Sequence, residues 1–154
     1  DEDACSAAMT NAEWPARMQR LTGTTWNALA PNAELWLDGG HNPAAGDALA
    51  AVLAGPPQRP THLICGMLNT KDVTGYMRPL APHVQSLRAV SIPGEANTLP
   101  ADETARVAAQ VGMDAHEADN VQAALDAILA VDPGAKVLIC GSLYLAGNVL
   151  RENS

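Results

Sequence analysis

The segment 38–43, which reads DGGHNP, carries the side chains best suited to chemistry. Asp38 ends an apolar run typical of a buried strand, where a charge is costly unless it is paired or hydrogen-bonded. Two interpretations of Asp38 follow: a carboxylate that holds a ribose hydroxyl pair, or one that accepts hydrogen bonds from the backbone of its own turn. His41 could contact an anionic substrate. A surface histidine in a turn is the commoner outcome, and a metal site built on D-x-x-H is disfavoured.

Two helices are expected to begin where strands end. Asn42 is a good N-cap with Pro43 as the first helical residue, and Ser142 opens another helix directly after an apolar strand. At the carboxyl ends of parallel strands, free N–H groups and the helix dipole favour a carboxylate or a phosphate. Both positions are therefore candidates for contact with a small anion.

The remaining reactive residue types are weaker candidates. Cys65 and Cys140 are interpreted as small buried apolar groups, since no histidine lies close in sequence to activate either thiol. With Cys5 they make an odd number without CxxC spacing, which favours a reducing cytoplasm over a disulfide framework or a zinc site. Lys71 and Asp72 are typical of a solvated pair. Neither GxxxxGK[ST] nor GxGxxG occurs after a strand, so the chain is not expected to hold a triphosphate and Mg²⁺ by itself.

The composition limits the class of protein. The chain has 154 residues and a mass of 16.0 kDa, enough for one ordinary domain, and 47% of its residues are hydrophobic although it has no Phe. A net charge of −8 disfavours a nucleic-acid binder. Neither a signal peptide nor an apolar run approaching the roughly 20 residues of a membrane span is found. Because the chain begins at Asp1 and Met first occurs at Met9, we expect part of a longer protein, with a linker at 1–13 and one domain at 14–154.

Hydrophobic periodicity predicts alternating strands and helices. Residues 18–21 and 25–29 are expected to form two short strands of a meander. Further strands are expected at 34–37, 62–65, 87–92, 115–117 and 136–140. Helices are expected from Pro43, with Ala45, Leu49, Val52 and Leu53 on one face up to Gly55, from Asp72, over 101–111 and 120–131, and from Ser142. The predicted fold class is α/β: a Rossmann-like three-layer domain with a mostly parallel sheet of about six strands, an N-terminal antiparallel strand or meander, and helices on both faces.

Three segments together resemble one enzyme family: WPARMQ at 14–19, LDGGHNP at 37–43 and GSLYLAG at 141–147. They are similar to the C-terminal domain of folylpolyglutamate synthase/dihydrofolate synthase, of the Mur ligase superfamily, and the similarity covers nearly the whole chain from residue 14. The pairing of DGxHNP with GSLY is rather specific to this family. Family members usually read WPGR and DGAH where this chain has Ala16 and Gly40, changes expected to constrain the first segment and to loosen the second slightly.

The resemblance implies an ATP-dependent ligase that joins L-glutamate to dihydropteroate or a folate through an acyl phosphate. It places the P-loop and the Mg²⁺ ligands in a separate ATPase domain, with the active site in the cleft between domains. This chain alone is then expected to be inactive and the full protein to be a cytoplasmic monomer. By position, Arg17 would contact the ATP phosphates and Asp38 the ATP ribose, while His41 and Ser142 would receive the incoming glutamate. The resemblance places no catalytic or metal-binding residue in this chain.

Two other interpretations stay open. The chain could belong to another amide-forming Mur-type ligase that takes a different acid or amino acid. It could also be a stand-alone Rossmann-like module that binds a small anion or a protein partner. Amino-acid selectivity of the intact protein would separate the first alternative, and a native start within a few residues of Asp1 would favour the second.

Overall fold

The computed structural model describes residues 18–22, 25–55 and 60–152. The strands within these ranges are β1 (Gln19–Arg20), β2 (Glu34–Leu37), β3 (Thr61–Cys65), β4 (Ser86–Ala89), β5 (Ala115–Glu117) and β6 (Lys136–Cys140). The helices are α1 (Thr25–Leu29), α2 (Pro43–Ala54), α3 (Val73–Met77), α4 (Ala101–Gln110), α5 (Val121–Val131) and α6 (Leu143–Arg151), with a 3₁₀ turn at Ala81–His83. Among these residues no helix has both the length and the apolar character needed to cross a membrane.

The strands form one sheet in the order β1-β2-β6-β3-β4-β5. β1 runs antiparallel to β2, and every other neighbouring pair is parallel. The last strand of the chain, β6, therefore lies in the middle of the sheet, between β2 and β3. The predicted mostly parallel sheet with an antiparallel N-terminal strand is confirmed.

Helices cover both faces of the sheet, because its central strands are apolar on both sides. Val137 and Ile139 of β6 pack with α1, α5 and α6, whereas Leu138 and Cys140 pack with α2, α3 and α4. The side chains alternate between the two faces, as the period of a strand requires. The result is the three-layer arrangement predicted from the alternation of elements.

The predicted second strand of the meander is wrong, because residues 25–29 form the helix α1. Trp26 and Ala30 are four positions apart and are both buried, which is a helical spacing. The Trp26 indole N–H also donates to the Val149 carbonyl oxygen of α6 at 3.2 Å. Packing between α1 and α6 thus overrides the short-range strand pattern. As a result, β1 is the one antiparallel strand of the sheet that the described residues form.

The α2 helix begins and ends as predicted, with Asn42 as its N-cap and Gly55 after its last residue. Its buried face differs from the prediction: Gly46, Leu49 and Leu53 are buried, whereas Val52 is 50% exposed. The contact with α3 is made at Gly46, which places the buried stripe on the side of the helix away from Val52.

The predicted strand at 87–92 is shorter than expected and ends at Ala89. Beyond Ala89, the Ile92 amide donates to the Thr98 hydroxyl at 2.8 Å instead of to a neighbouring strand. The remaining strands and helices agree with the predicted bounds to within one residue at the ends that the sequence specified.

A hydrogen-bonded network joins three elements at the amino edge of the sheet, where the parallel strands begin. His62 of β3 shares a hydrogen bond with the Ser86 hydroxyl of β4, Nδ1 to Oγ at 2.7 Å. Its Nε2 lies 3.3 Å from the carboxylate of Asp132, which precedes β6. Both ring nitrogens of this buried histidine are therefore partnered.

The close contact between α2 and α3 predicts opposite effects for two helix glycines. A Cβ at Gly46 would lie 2.3 Å from the Tyr76 carbonyl oxygen, whereas a Cβ at Gly147 in α6 would meet only the end of the Arg151 side chain at 3.5 Å. We expect Gly46→Ala to lower the free energy of unfolding by roughly 1–3 kcal/mol. Gly147→Ala should raise it by about 0.5–1 kcal/mol through helix propensity. Urea unfolding followed by circular dichroism measures both, and equal effects would contradict the close contact.

Candidate functional site

The carboxyl ends of β2, β3 and β6 lie side by side because the three strands are paired in parallel register. Three loops therefore meet at one edge of the sheet, the carboxyl edge: 38–42, 66–72 and 141–142. The chain leaves β2 and β3 toward helices on one face but leaves β6 toward α6 on the opposite face. In open α/β sheets, ligands bind where the loops diverge in this way. Asp38, His41 and Ser142 all lie at this edge.

Asp38 is 5% exposed, and each oxygen of its carboxylate accepts a backbone hydrogen bond. Oδ1 accepts from the Met18 amide and Oδ2 from the Gly40 amide, both at 2.9 Å. The Asp38 amide in turn donates to the Ile139 carbonyl oxygen at 3.0 Å. The turn interpretation therefore describes the bond from Gly40, whereas the bond from Met18 comes from outside the turn and was not expected. Because a carboxylate has about four acceptor positions, a further contact with a ribose is chemically compatible with these bonds.

Gly40 allows close packing in the loop before α2, in addition to the backbone freedom expected from sequence. A Cβ at this position would lie 2.6 Å from the Ala45 Cβ and 2.9 Å from Oδ2 of Asp38. The absence of a side chain thus lets the loop approach the carboxylate and the first turn of α2. The expected loosening is a minor part of what this glycine contributes.

Two capped helix N-termini lie at the carboxyl edge. The Asn42 side-chain oxygen accepts from the Ala45 amide at 2.8 Å, and the Ser142 hydroxyl oxygen accepts from the Tyr144 and Leu145 amides at 3.0 and 3.4 Å. Both predicted N-caps are confirmed. Ser142 is 1% exposed, and no residue in the described part of the chain accepts a hydrogen bond from its hydroxyl. The hydroxyl therefore keeps one donor position, which a ligand would have to reach at the buried start of α6.

His41 is half-buried, and its Nδ1 is buried without a hydrogen-bond partner. Burial lowers the pKa of the imidazole below its ordinary value, and the positive charge of Lys71 lowers it further. Since the ordinary pKa is about 6.5, His41 is mostly uncharged at neutral pH. A neutral imidazole can donate one hydrogen bond and accept one, but it does not bring a positive charge to an anion.

Lys71 and Asp72, which were predicted to be a solvated pair, have separate surroundings in the structure. The Asp72 carboxylate caps α3 by accepting from the Gly75 amide at 3.0 Å. Lys71 is half-buried, and no described carboxylate forms an ion pair with it. Lys71 is the member of this site that sequence reasoning missed, because its proximity to His41 depends on the pairing of β2 and β3 with β6.

Gly141 closes the end of β6 in a conformation that requires glycine. Its φ is +105°, and a Cβ would lie 2.7 Å from the Gly66 carbonyl oxygen. The thiols beneath it, Cys65 and Cys140, are free and buried. A hydrogen bond with the Cys140 thiol and burial raise the pKa of Cys65. Both cysteines thus act as apolar core groups, in agreement with their interpretation from sequence.

Some of the predicted positions lie outside the described residues. These are Arg17, the linker at 1–13 and Cys5. The described part of the chain brings no three His, Cys, Asp or Glu side chains together in a way that could hold a metal ion.

Comparison with known proteins identifies similar chains. Residues 16–143 match the family model described as "Mur ligase, glutamate ligase domain". A folylpolyglutamate synthase from Lacticaseibacillus casei is 30% identical over 142 residues, which cover 90% of this chain and 29% of that protein.

Solved structures of the same kind superpose on this fold. Mycobacterium tuberculosis folylpolyglutamate synthase complexed with ADP has a TM-score of 0.74 at 27% identity, covering 89% of this chain and 32% of that one. A bifunctional folylpolyglutamate synthase/dihydrofolate synthase from Yersinia pestis, complexed with AMPPNP and a Mn ion, has a TM-score of 0.69 at 26% identity, covering 89% and 30%. The chain thus spans about a third of the length of the proteins it matches.

Because the Asp38 carboxylate accepts two backbone hydrogen bonds, we expect its removal to destabilise the fold whether or not a ligand is bound. Asp38→Ala leaves the Met18 and Gly40 amides without their charged acceptor, and we expect the free energy of unfolding to fall by roughly 2–3 kcal/mol. Asp47→Ala, at an exposed position of α2, is the matched control and should change it by less than about 0.5 kcal/mol. Urea unfolding of both variants measures this. A free energy of unfolding for Asp38→Ala equal to that of the wild type would contradict the two hydrogen bonds.

Proposed function

Because this chain belongs to the Mur ligase family as its glutamate ligase domain, we propose that it is part of an ATP-dependent ligase that joins L-glutamate to the carboxylate of dihydropteroate or of a folate. The acid is first activated as an acyl phosphate, and the amine of glutamate then displaces phosphate to form the amide. The names of the similar proteins, folylpolyglutamate synthase and dihydrofolate synthase, support this choice of acid and amino acid.

The observation that carries the proposal is the meeting of two capped helix N-termini with a buried carboxylate at the carboxyl edge. The α2 and α6 N-termini suit the anionic groups of glutamate and of ATP. Each contributes about 0.3–1 kcal/mol when exposed and up to about 2 kcal/mol when partly buried. Two such ends with one or two side-chain contacts reach roughly 4 kcal/mol, a dissociation constant near 1 mM. The reactants must therefore be held mainly by another part of the protein.

The P-loop and the Mg²⁺ ligands are assigned to that other part, which holds most of the nucleotide phosphates. The chain has no P-loop sequence, and its described residues bring no group of metal-binding side chains together. ADP in one similar structure, and AMPPNP with Mn in another, support a nucleotide and a divalent cation as the cofactors. This chain closes over them from one side of an interdomain cleft.

Each candidate residue has a role in this proposal. Asp38 holds the ATP ribose through the acceptor positions that its backbone bonds leave unused, and Arg17 contacts the ATP phosphates. Ser142 donates a hydrogen bond from its hydroxyl group to a carboxylate of glutamate. His41 lies at the same edge of the sheet and also receives the glutamate. The reaction needs the ATPase domain of the same polypeptide, so the 154-residue chain alone is inactive.

The full-length protein should form an amide only when ATP, Mg²⁺, L-glutamate and dihydropteroate or a folate are all present. Incorporation of labelled glutamate measures this, with the 154-residue chain as the inactive control. Preference for a different amino acid or acid would identify another Mur-type amide ligase instead. Activity of the 154-residue chain alone would contradict the division of labour between domains.

Two N-cap substitutions separate glutamate binding from helix stability. Ser142→Ala and Asn120→Ala each remove an N-cap, of α6 and α5 respectively, and each should cost about 1 kcal/mol of stability. In the full-length protein, Ser142→Ala should also raise the KM for glutamate at least about 5-fold, the loss of one hydrogen bond to a charged group. The KM of Asn120→Ala should be unchanged. Equal KM values for the two variants would remove the assignment of Ser142.

A further inference from the structure

His41 differs from an ordinary surface histidine because one of its two ring nitrogens, Nδ1, is buried and has no hydrogen-bond partner among the described residues. Nδ1 is buried, and neither a donor nor an acceptor in the described part of the chain reaches it. The residue stands immediately before the Asn42 N-cap of α2, a helix of 12 residues. The positive end of that helix dipole disfavours a second proton on the ring.

A lysine without a carboxylate partner acts on the same ring. Lys71 lies in the loop that leads into α3, two residues before the first residue of that helix. The α3 helix packs against the start of α2, since a Cβ on Gly75 of α3 would lie 2.9 Å from the Pro43 ring. Lys71 is the charged group that lowers the pKa of His41, in addition to burial. Of the other titratable groups of the elements at this edge, Asp38 holds two amides, Asp72 is the α3 N-cap, and Tyr144 is 55% exposed. Tyr76 of α3 is buried and its hydroxyl has no described partner, but burial raises its pKa, so it brings no charge to the ring at neutral pH.

The proton of a neutral His41 belongs on Nε2. An imidazolium would place an N–H at both ring nitrogens, and the one at Nδ1 would be a buried donor without an acceptor. The same objection applies to the neutral form that carries its proton on Nδ1, because orphaned buried N–H groups are rarer in folded proteins than unfilled acceptors. With the proton on Nε2, only a lone pair is left inside.

We propose that His41 meets the incoming amino acid or its acyl phosphate partner as a neutral imidazole that donates from Nε2, and that Lys71 is the positioning residue that maintains this form. The inference rests on the proposed ligase function for its substrate but not for the protonation state. A neutral donor stabilises an anionic oxygen without releasing a proton to the amine, which must stay unprotonated to attack. His41 therefore exchanges no proton during amide formation.

Imidazole NMR of the 154-residue chain tests the protonation state without any activity. The His41 ring should carry its proton on Nε2 at pH 7 and should titrate below its ordinary pKa. Lys71→Met should shift this midpoint upward. Lys136→Met, at the other lysine of the chain, lies at the amino edge against the Trp36 ring and should leave the midpoint unchanged. A proton on Nδ1, a doubly protonated ring at pH 7, or an unmoved midpoint in Lys71→Met would overturn the proposal.

Kinetics of the full-length protein test the positioning role. In Lys71→Met, activity should fall as the pH is lowered from 8 to 6 more steeply than in the wild type, because His41 then gains its proton at a higher pH. Lys71→Arg should restore the wild-type profile. A rise in the KM for glutamate identifies the amino acid carboxylate as the acceptor, and a loss in kcat alone identifies the acyl phosphate. A pH-independent loss would show a merely structural lysine, whereas absence of any ligation would refute the proposed function and leave the NMR result standing.

Discussion

The carboxyl edge depends on one buried charge, the carboxylate of Asp38. Its two oxygens hold the amides of Met18 and Gly40, and its own amide is bonded to the carbonyl oxygen of Ile139. The entry to β1, the loop before α2 and the end of β6 are therefore fixed to a single residue. Lys71, at the same edge, forms no ion pair with a carboxylate of the described residues.

The two edges of the sheet use histidine in different ways. At the amino edge, both ring nitrogens of His62 have partners, on β4 and before β6, and the side chain joins three elements. At the carboxyl edge, Nδ1 of His41 has no hydrogen-bond partner among residues 18–22, 25–55 and 60–152. The residue precedes the N-terminus of α2, and the charge of Lys71 acts on its ring. A satisfied polar network rigidifies its surroundings, whereas an unsatisfied group is typical of a site that awaits a ligand. The histidine at the amino edge therefore has a structural role, whereas the one at the carboxyl edge keeps an unused ring nitrogen.

The parts of the fold with a local cause were predictable from sequence. The Asn42 and Ser142 caps follow from residue type and from the strands before them, and the strand at 136–140 follows from its apolar pattern and flanking turns. The second strand of the meander failed because the partner of Trp26 lies 123 residues later, in α6. The site was predicted only in part for a similar reason. The carboxylate of Asp38 could be placed at a strand end, but its partner Met18 and the proximity of Lys71 to His41 depend on strand order, which no short-range pattern encodes.

The central position of β6 has a consequence for how the protein is made. The ribosome delivers β2 and β3 long before residues 136–140. Until those residues arrive, β2 can pair only with β1 and β3 only with β4, and the edge of each strand that faces β6 in the finished sheet stays open. Two open, apolar strand edges are a template for wrong association. A growing chain of this kind must keep these edges apart or covered, because its longest-range pairings form last. The strand that completes the carboxyl edge thus also removes the two open strand edges that favour aggregation during synthesis.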